Sequence, residues 1–163
     1  MNIFYLDHDP VKCAQYLCDK HVVKMVLETA QILSAVHHKY QTIWAETGEV
    51  YKETHKNHPS TLWAGRTRYN YRWTVRLFKA LLKEYTHRYK KEHACTRLLK
   101  IFEENHPATV LGKEIPPQCM PDEYKGDDTV EAYRNYYRGE KAGFAKYTNR
   151  AVPEFMKDVV EDK

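Results

Sequence analysis

The sequence predicts an all-α protein. Apolar residues recur at three- and four-residue steps through most of the chain. Helix-starting signals stand just before those stretches, and no run alternates apolar and polar residues as a half-buried strand does. The 163 residues are 42% hydrophobic and 29% charged, the size and balance of one folded domain rather than of a disordered chain. The expectation is one α-helical domain over residues 1–163 with about four main helices. A short extended segment should open it, a Pro-rich loop should precede the last helix, and residues 155–163 should fray.

Residues 1–7 (MNIFYLD) are mostly apolar and read as extended. Asp9-Pro10 starts the first helix, a carboxylate cap followed by Pro at the first helical position. From there Ala14, Cys18, Val22, Met25, Thr29, Leu33 and Val36 form one face of an amphipathic helix to about residue 38. TGEVYKETHKN (47–57) has little periodicity and reads as a surface loop. Asn57-His58-Pro59-Ser60 is the next start signal. It opens a helix to about Lys90 that carries Leu62, Trp63, Tyr69, Trp73, Leu77, Leu81 and Tyr85, with Gly65 a mild weakness. A third helix fits 96–104, with Leu98, Leu99 and Phe102 inward. Pro107, Gly112, Pro116, Pro117, Pro121 and Gly126 mark 105–128 as an ordered or functional loop. Asp128-Thr129 caps a fourth helix with Glu131 near its positive dipole end, and Pro153 ends regular structure.

Several function classes are set aside at this level. Cys13, Cys18, Cys95 and Cys119 are few and irregularly spaced, which suits a reducing compartment better than a disulfide framework. The five-residue step from Cys13 to Cys18 puts the two thiols on different sides of a helix, so no zinc site or other metal is expected. Neither GxxxxGK[ST] nor GxGxxG occurs, which argues against a nucleoside triphosphate or dinucleotide site, and no cofactor is expected. No basic leader with an apolar core and no apolar run of membrane length is visible. A monomer in the cytoplasm, that of a host cell if the chain is phage-encoded, and no membrane contact are the corresponding expectations.

The net charge of +4 hides a strong local asymmetry. Residues 60–91 hold nine basic residues (66, 68, 72, 76, 79, 83, 88, 90 and 91) against the single acid Glu84. That segment is +8, so the remainder sums to −4. Arg68, Arg72, Arg76, Lys79 and Lys83 follow steps of four, four, three and four, which stack them on one helix face roughly 22 Å long. A merely solvated face would interleave acids at i,i+4. A phosphate backbone would neutralise the stripe and release counterions. Arg66, Arg68, Arg72, Arg76, Lys79 and Lys83, with Asn57 and His58 before them and Lys125 in the Pro-rich loop, are the candidate nucleic-acid contacts.

The first helix holds a second constellation in CDKHVVKMVLE (18–28). His21, Lys24 and Glu28 share a face, Lys20 lies one turn before Lys24, and Asp19 is on an adjacent face. Acid, imidazole and amine together suit general acid–base or nucleophilic amine chemistry. They suit equally an ordinary Lys24–Glu28 pair and a partly buried core histidine. The loop motif MPDEYKGDD (120–128) adds Asp122 and Glu123, which helix capping leaves unexplained, as a possible acidic part of a site.

Through CDKHVVKM, NHPSTLW, MPDEYKGDD and VEAYRNYYRGEKAGFAKYTNR, in that order, the chain resembles the pyrimidine-dimer DNA glycosylases of the phage endonuclease V type. The resemblance implies an all-α DNA repair enzyme that excises a damaged pyrimidine and nicks the abasic strand of a double-stranded substrate. It also implies attack on the sugar C1′ by the N-terminal α-amine, a Schiff base, help from a glutamate on the first helix, and basic residues gripping phosphates around a kinked duplex. Where those enzymes carry an Arg-Glu pair on that helix, this chain has Lys20-His21, with Asp19 and Glu28 nearby. Where they expose a small second residue after Met removal, this chain has Asn2, so the amine would belong to Met1. An α-amine titrates near ~7.7–8.0 and a lysine near ~10.4, which makes the N-terminus the easier nucleophile and Lys20 or Lys24 its alternates. Two other readings stand beside this one. One is a nucleotide- or base-modifying enzyme using His21 with an acidic partner. The other is a non-catalytic, phage-encoded module that binds nucleic acid or inhibits a host system.

Overall fold

A computed structural model describes residues 2–160 of the chain. Among them it contains seven α-helices, four short 3-10 turns and no strand. The helices are α1 (Pro10–Tyr16), α2 (Asp19–Lys39), α3 (Ile43–Glu46), α4 (Pro59–Arg66), α5 (Arg68–Tyr89), α6 (Leu99–Glu104) and α7 (Thr129–Glu140). The all-α expectation holds, and the count of four is corrected. No helix among the described residues is long and apolar enough to cross a membrane.

Two of the expected helices are each broken once, and tertiary hydrogen bonds explain the breaks. Asp9 caps α1 by accepting from the Val11 amide, as expected, but the chain is extended at Leu17 and Cys18. The Cys18 amide donates to the Tyr137 hydroxyl at 2.9 Å, and the Asp19 amide donates to the Lys146 carbonyl at 2.7 Å. Partners from the far end of the chain thus take amides that a continuous helix would have used. Thr67 breaks the second pattern in the same way. It is extended (φ −132°, ψ 159°), and its hydroxyl caps α5 by accepting from the Asn70 amide. The next amide, Arg68, donates to Val110 in the Pro-rich loop at 2.7 Å. The third expected helix begins as a 3-10 turn over Ala94–Leu98, and α3 lies in a stretch with no strong helical pattern. Asp128 caps α7 through the Glu131 amide, as expected.

The core lies chiefly between α2 and α5. Val22, Met25, Val26, Leu33 and Val36 on the first and Trp73, Leu77, Phe78 and Leu81 on the second are all buried. α4 lies against α2 closely enough that a Cβ on Gly65 would meet the Val36 side chain at 3.3 Å. The Tyr40 hydroxyl also donates to the Gly65 carbonyl. The N-terminal segment crosses this core, with Ile3, Tyr5 and Leu6 buried. It is held by Trp73, which donates to the His8 carbonyl, and by Arg134, which donates to the Leu6 carbonyl. The tail expected to fray from residue 155 is packed as far as Val160. Met156 is fully buried, Phe155 meets Tyr16 edge to face, and Arg138 grips Asp158 with two hydrogen bonds.

One charged cluster is buried inside this frame. Arg88 is fully buried and donates to Glu84 at 2.7 Å, to Asp19 at 3.1 Å and to the Gln15 carbonyl at 3.0 Å. Arg150 reaches both Glu84 oxygens at 2.7 and 3.0 Å. Burial works to raise the Glu84 pKa, but the hydrogen bonds from Arg150 and Arg88 hold it below the usual carboxylate range.

Candidate active site and nucleic-acid interface

The start of the chain and the N-terminal end of α4 meet at Cys119, and Glu28 in the middle of α2 acts electrostatically on His58 at that end of α4. Asn2 is fixed by its amide, which donates to the Cys119 carbonyl at 2.9 Å and accepts from the Tyr133 hydroxyl at 2.9 Å. Cys119 in turn lies 3.7 Å from the Ser60 hydroxyl on α4. His58 caps that helix, its ring Nδ1 accepting from the Ser60 amide. Burial lowers the His58 pKa, His55 adds to that, and the Glu28 carboxylate opposes it. Glu28 is half-buried on α2, with Lys24 3.8 Å away. A half-buried carboxylate with a cation beside it is chemically equipped to move protons. Met1, the expected nucleophile, lies outside the described residues. Cys119, Ser60 and Tyr133 were not singled out in sequence, because only the fold brings them to Asn2.

Of the other candidates of the first helix, Asp19, Lys20 and His21 go elsewhere. Asp19 accepts from Arg88 and takes both the amide and the hydroxyl of Thr148 at 2.9 and 2.6 Å, so it serves the buried charge cluster. Lys20 is exposed, with its ammonium 4.7 Å from the centre of the Phe144 ring. Lys24 is exposed beside Glu28. His21 is buried, stacked on Phe4 at 4.5 Å, and shares a 2.8 Å hydrogen bond with the Tyr137 hydroxyl through Nδ1. Burial, with Lys141, Lys24 and Lys20 adding, lowers its pKa from 6.5 to about 4. The structure therefore does not join His21 to Asp19 or Glu28 as an acid–base pair. Asp122 and Glu123 lie on an exposed turn where Asp122 pairs with Lys125 at 3.0 Å.

His21 has a counterpart in His37, whose pKa is also lowered to about 4 by burial, with His38 and His106 adding. Both rings are neutral in the folded protein, whereas in an unfolded chain they would take protons near pH 6.5. Between about pH 6.5 and 4 the unfolded state thus binds more protons, so stability is full above 6.5 and falls as pH drops through that window. A urea midpoint that declines from pH 7 to 4.5, with a shallower decline in His21→Gln, is the expected result. A midpoint level across the window would contradict it.

Along α5, Arg68, Arg72, Arg76, Lys79 and Lys83 are all exposed, as one face of a helix requires. Arg66 pairs with Glu114 at 2.8 Å and Lys79 with Glu103 at 3.3 Å. Among the described residues, no carboxylate lies within ion-pair distance of Arg68, Arg72 or Arg76. Trp63, Tyr71 and Trp73 are core residues, and Tyr69 is the aromatic of this region left at the surface. Asn57 is exposed just before the His58 cap. Among the described residues no cluster of His, Cys, Asp and Glu is arranged to hold a metal ion.

These features describe an all-α protein with one strongly basic face and a half-buried carboxylate, Glu28, whose charge reaches His58. Residues 1–97 match the family model described as pyrimidine dimer DNA glycosylase, and the chain belongs to that family. No curated protein and no solved structure matches it.

Proposed function

We propose that the protein excises a dimerised or otherwise damaged pyrimidine from double-stranded DNA and cuts the resulting abasic strand. The α-amine of Met1 is the nucleophile and Glu28 the acid–base group. One observation carries this reading. The matched residues 1–97 contain Asn2, Glu28, His58 and the arginines of α5, so the proposed acid–base residue and the basic face fall within the family's own stretch of sequence, while Cys119 and Tyr133, which hold Asn2, lie beyond it.

The chemistry uses each part. The amine lone pair attacks C1′, and the base leaves with the electrons of the C1′–N bond and takes up a proton. The C1′–O4′ bond then opens to an iminium, with a proton going to O4′. Glu28 gives and takes the protons of these steps, then removes one from C2′ so that the 3′ phosphate can leave. Water hydrolyses the iminium and frees the amine. An α-amine with a pKa near ~7.7–8.0 is neutral in a useful fraction of molecules at pH 7, as this attack demands.

Strand cutting at dipyrimidine sites of an ultraviolet-irradiated duplex, and none in the unirradiated duplex, is the expected result of the direct assay. No base release from the irradiated duplex would contradict the reading. The arginine face has a separate readout. Replacing both Arg72 and Arg76 by Ala should lower the slope of log affinity against log salt by about 2, since each phosphate contact contributes about 1. A slope unchanged by the double replacement would remove the face from the interface.

A further inference from the structure

The loop between α6 and α7 brings an apolar edge onto the basic face of α5. Val110 is 60% exposed, Leu111 76% and Ile115 44%. The loop is pinned on both sides of Leu111. The Arg68 amide donates to the Val110 carbonyl at 2.7 Å. Glu114 accepts from Arg66 and Asn70 at 2.8 and 3.0 Å, and its carbonyl accepts from the Trp63 indole. Gly112, at φ +124°, supplies the turn after Leu111 that a side chain would rarely allow. Beside the leucine lies a crevice of about 330 Å³ whose walls include Arg68, Tyr69, Arg72 and Arg76.

Scattered exposed leucines are ordinary, but an apolar edge fixed among three guanidinium groups without carboxylate partners is not what a fold alone would select. The two chemistries match duplex DNA, which offers phosphates to the arginines and stacked base pairs to an apolar side chain. We propose that Leu111 is a wedge. With Arg68, Arg72 and Arg76 on the backbone, its side chain enters between two base pairs beside the lesion and unstacks them. Unstacking is easiest where a base is already damaged, so the wedge also favours the damaged step. This inference rests on the DNA reading above and adds the residue that opens the duplex.

The test uses a duplex carrying a thymine dimer with 2-aminopurine at the neighbouring step. Binding of the unaltered protein should raise its fluorescence. Leu111→Ser should lose most of that rise and bind about tenfold more weakly, with the salt slope unchanged because the arginines remain. Leu111→Met should restore both. The exposed position leaves the fold unaffected, which equal melting temperatures would verify. If the Ser variant gives the original fluorescence and affinity, or if the unaltered protein binds the duplex without any rise, the wedge is wrong while the DNA reading stands. If the unaltered protein binds no DNA, the DNA reading falls and the wedge falls with it.

Discussion

Glu28→Gln is expected to slow base release about 10²–10⁴-fold while changing affinity for the damaged duplex little, because general acid–base assistance is typically worth that much and phosphate contacts carry affinity. The substitution keeps the size and hydrogen-bonding shape of the side chain and removes its ability to exchange a proton. Glu28 is half-buried on the long α2, where neighbouring core residues fix the helix, so the loss would not come from unfolding. Single-turnover kinetics on a lesion duplex, with affinity measured in parallel, separate the two effects. A Gln variant with the original rate would place the proton chemistry elsewhere. A variant that loses affinity and rate together would make Glu28 a binding residue instead.

Arg88→Met is expected to be the most damaging single change to stability, costing about 3 kcal/mol or more. The guanidinium is wholly buried, and its removal leaves Asp19 without its arginine and Glu84 with Arg150 alone. Arg150 still reaches both oxygens of Glu84, which keeps the cost toward the lower end of the range for broken buried pairs. In a chain of this length, that loss corresponds to a fall in melting temperature of roughly 6–12 °C. The pH dependence gives a second check. Glu84 has a lowered folded pKa, so its contribution is present above its unfolded value and lost as pH falls through the folded one. The gap between the two proteins should therefore narrow in acid. A melting temperature within about 2 °C of the original would mean that the cluster is not coupled as its distances indicate.

Arg88 also shows where sequence reading stops. It belongs to the same +8 segment as Arg72 and Arg76, and its one local mark is Glu84 four residues before it, which an exposed i,i+4 pair would show equally. Only the fold, by bringing Asp19 and Gln15 to it and Arg150 to Glu84, makes it a core residue. The helix starts were legible because their chemistry is local. Asp9-Pro10, the His58-Pro59 start and Asp128-Thr129 each cap a helix through an atom two or three residues away. The breaks at Cys18 and Thr67 were not legible, because the groups that take the neighbouring amides come from Tyr137, Lys146 and Val110. The same holds for the candidate site. Helical spacing placed His21 and Glu28 on one face of α2, but burial against Phe4 and Tyr137 separates a core histidine from a half-buried carboxylate. The contact of Asn2 with Cys119 joins residues 117 positions apart.

The central claim is an amine bonded to the damaged nucleotide's C1′, and borohydride trapping addresses it directly. The protein is incubated with a thymine-dimer duplex in the presence of borohydride, and the cross-linked peptide is identified by mass spectrometry, with the intact mass establishing that Met1 is retained. The expected result is a covalent protein–DNA adduct on the α-amine of the peptide beginning Met1-Asn2. An adduct on Lys20 or Lys24 would move the nucleophile, and the absence of both adduct and strand cleavage would contradict the Schiff-base mechanism outright.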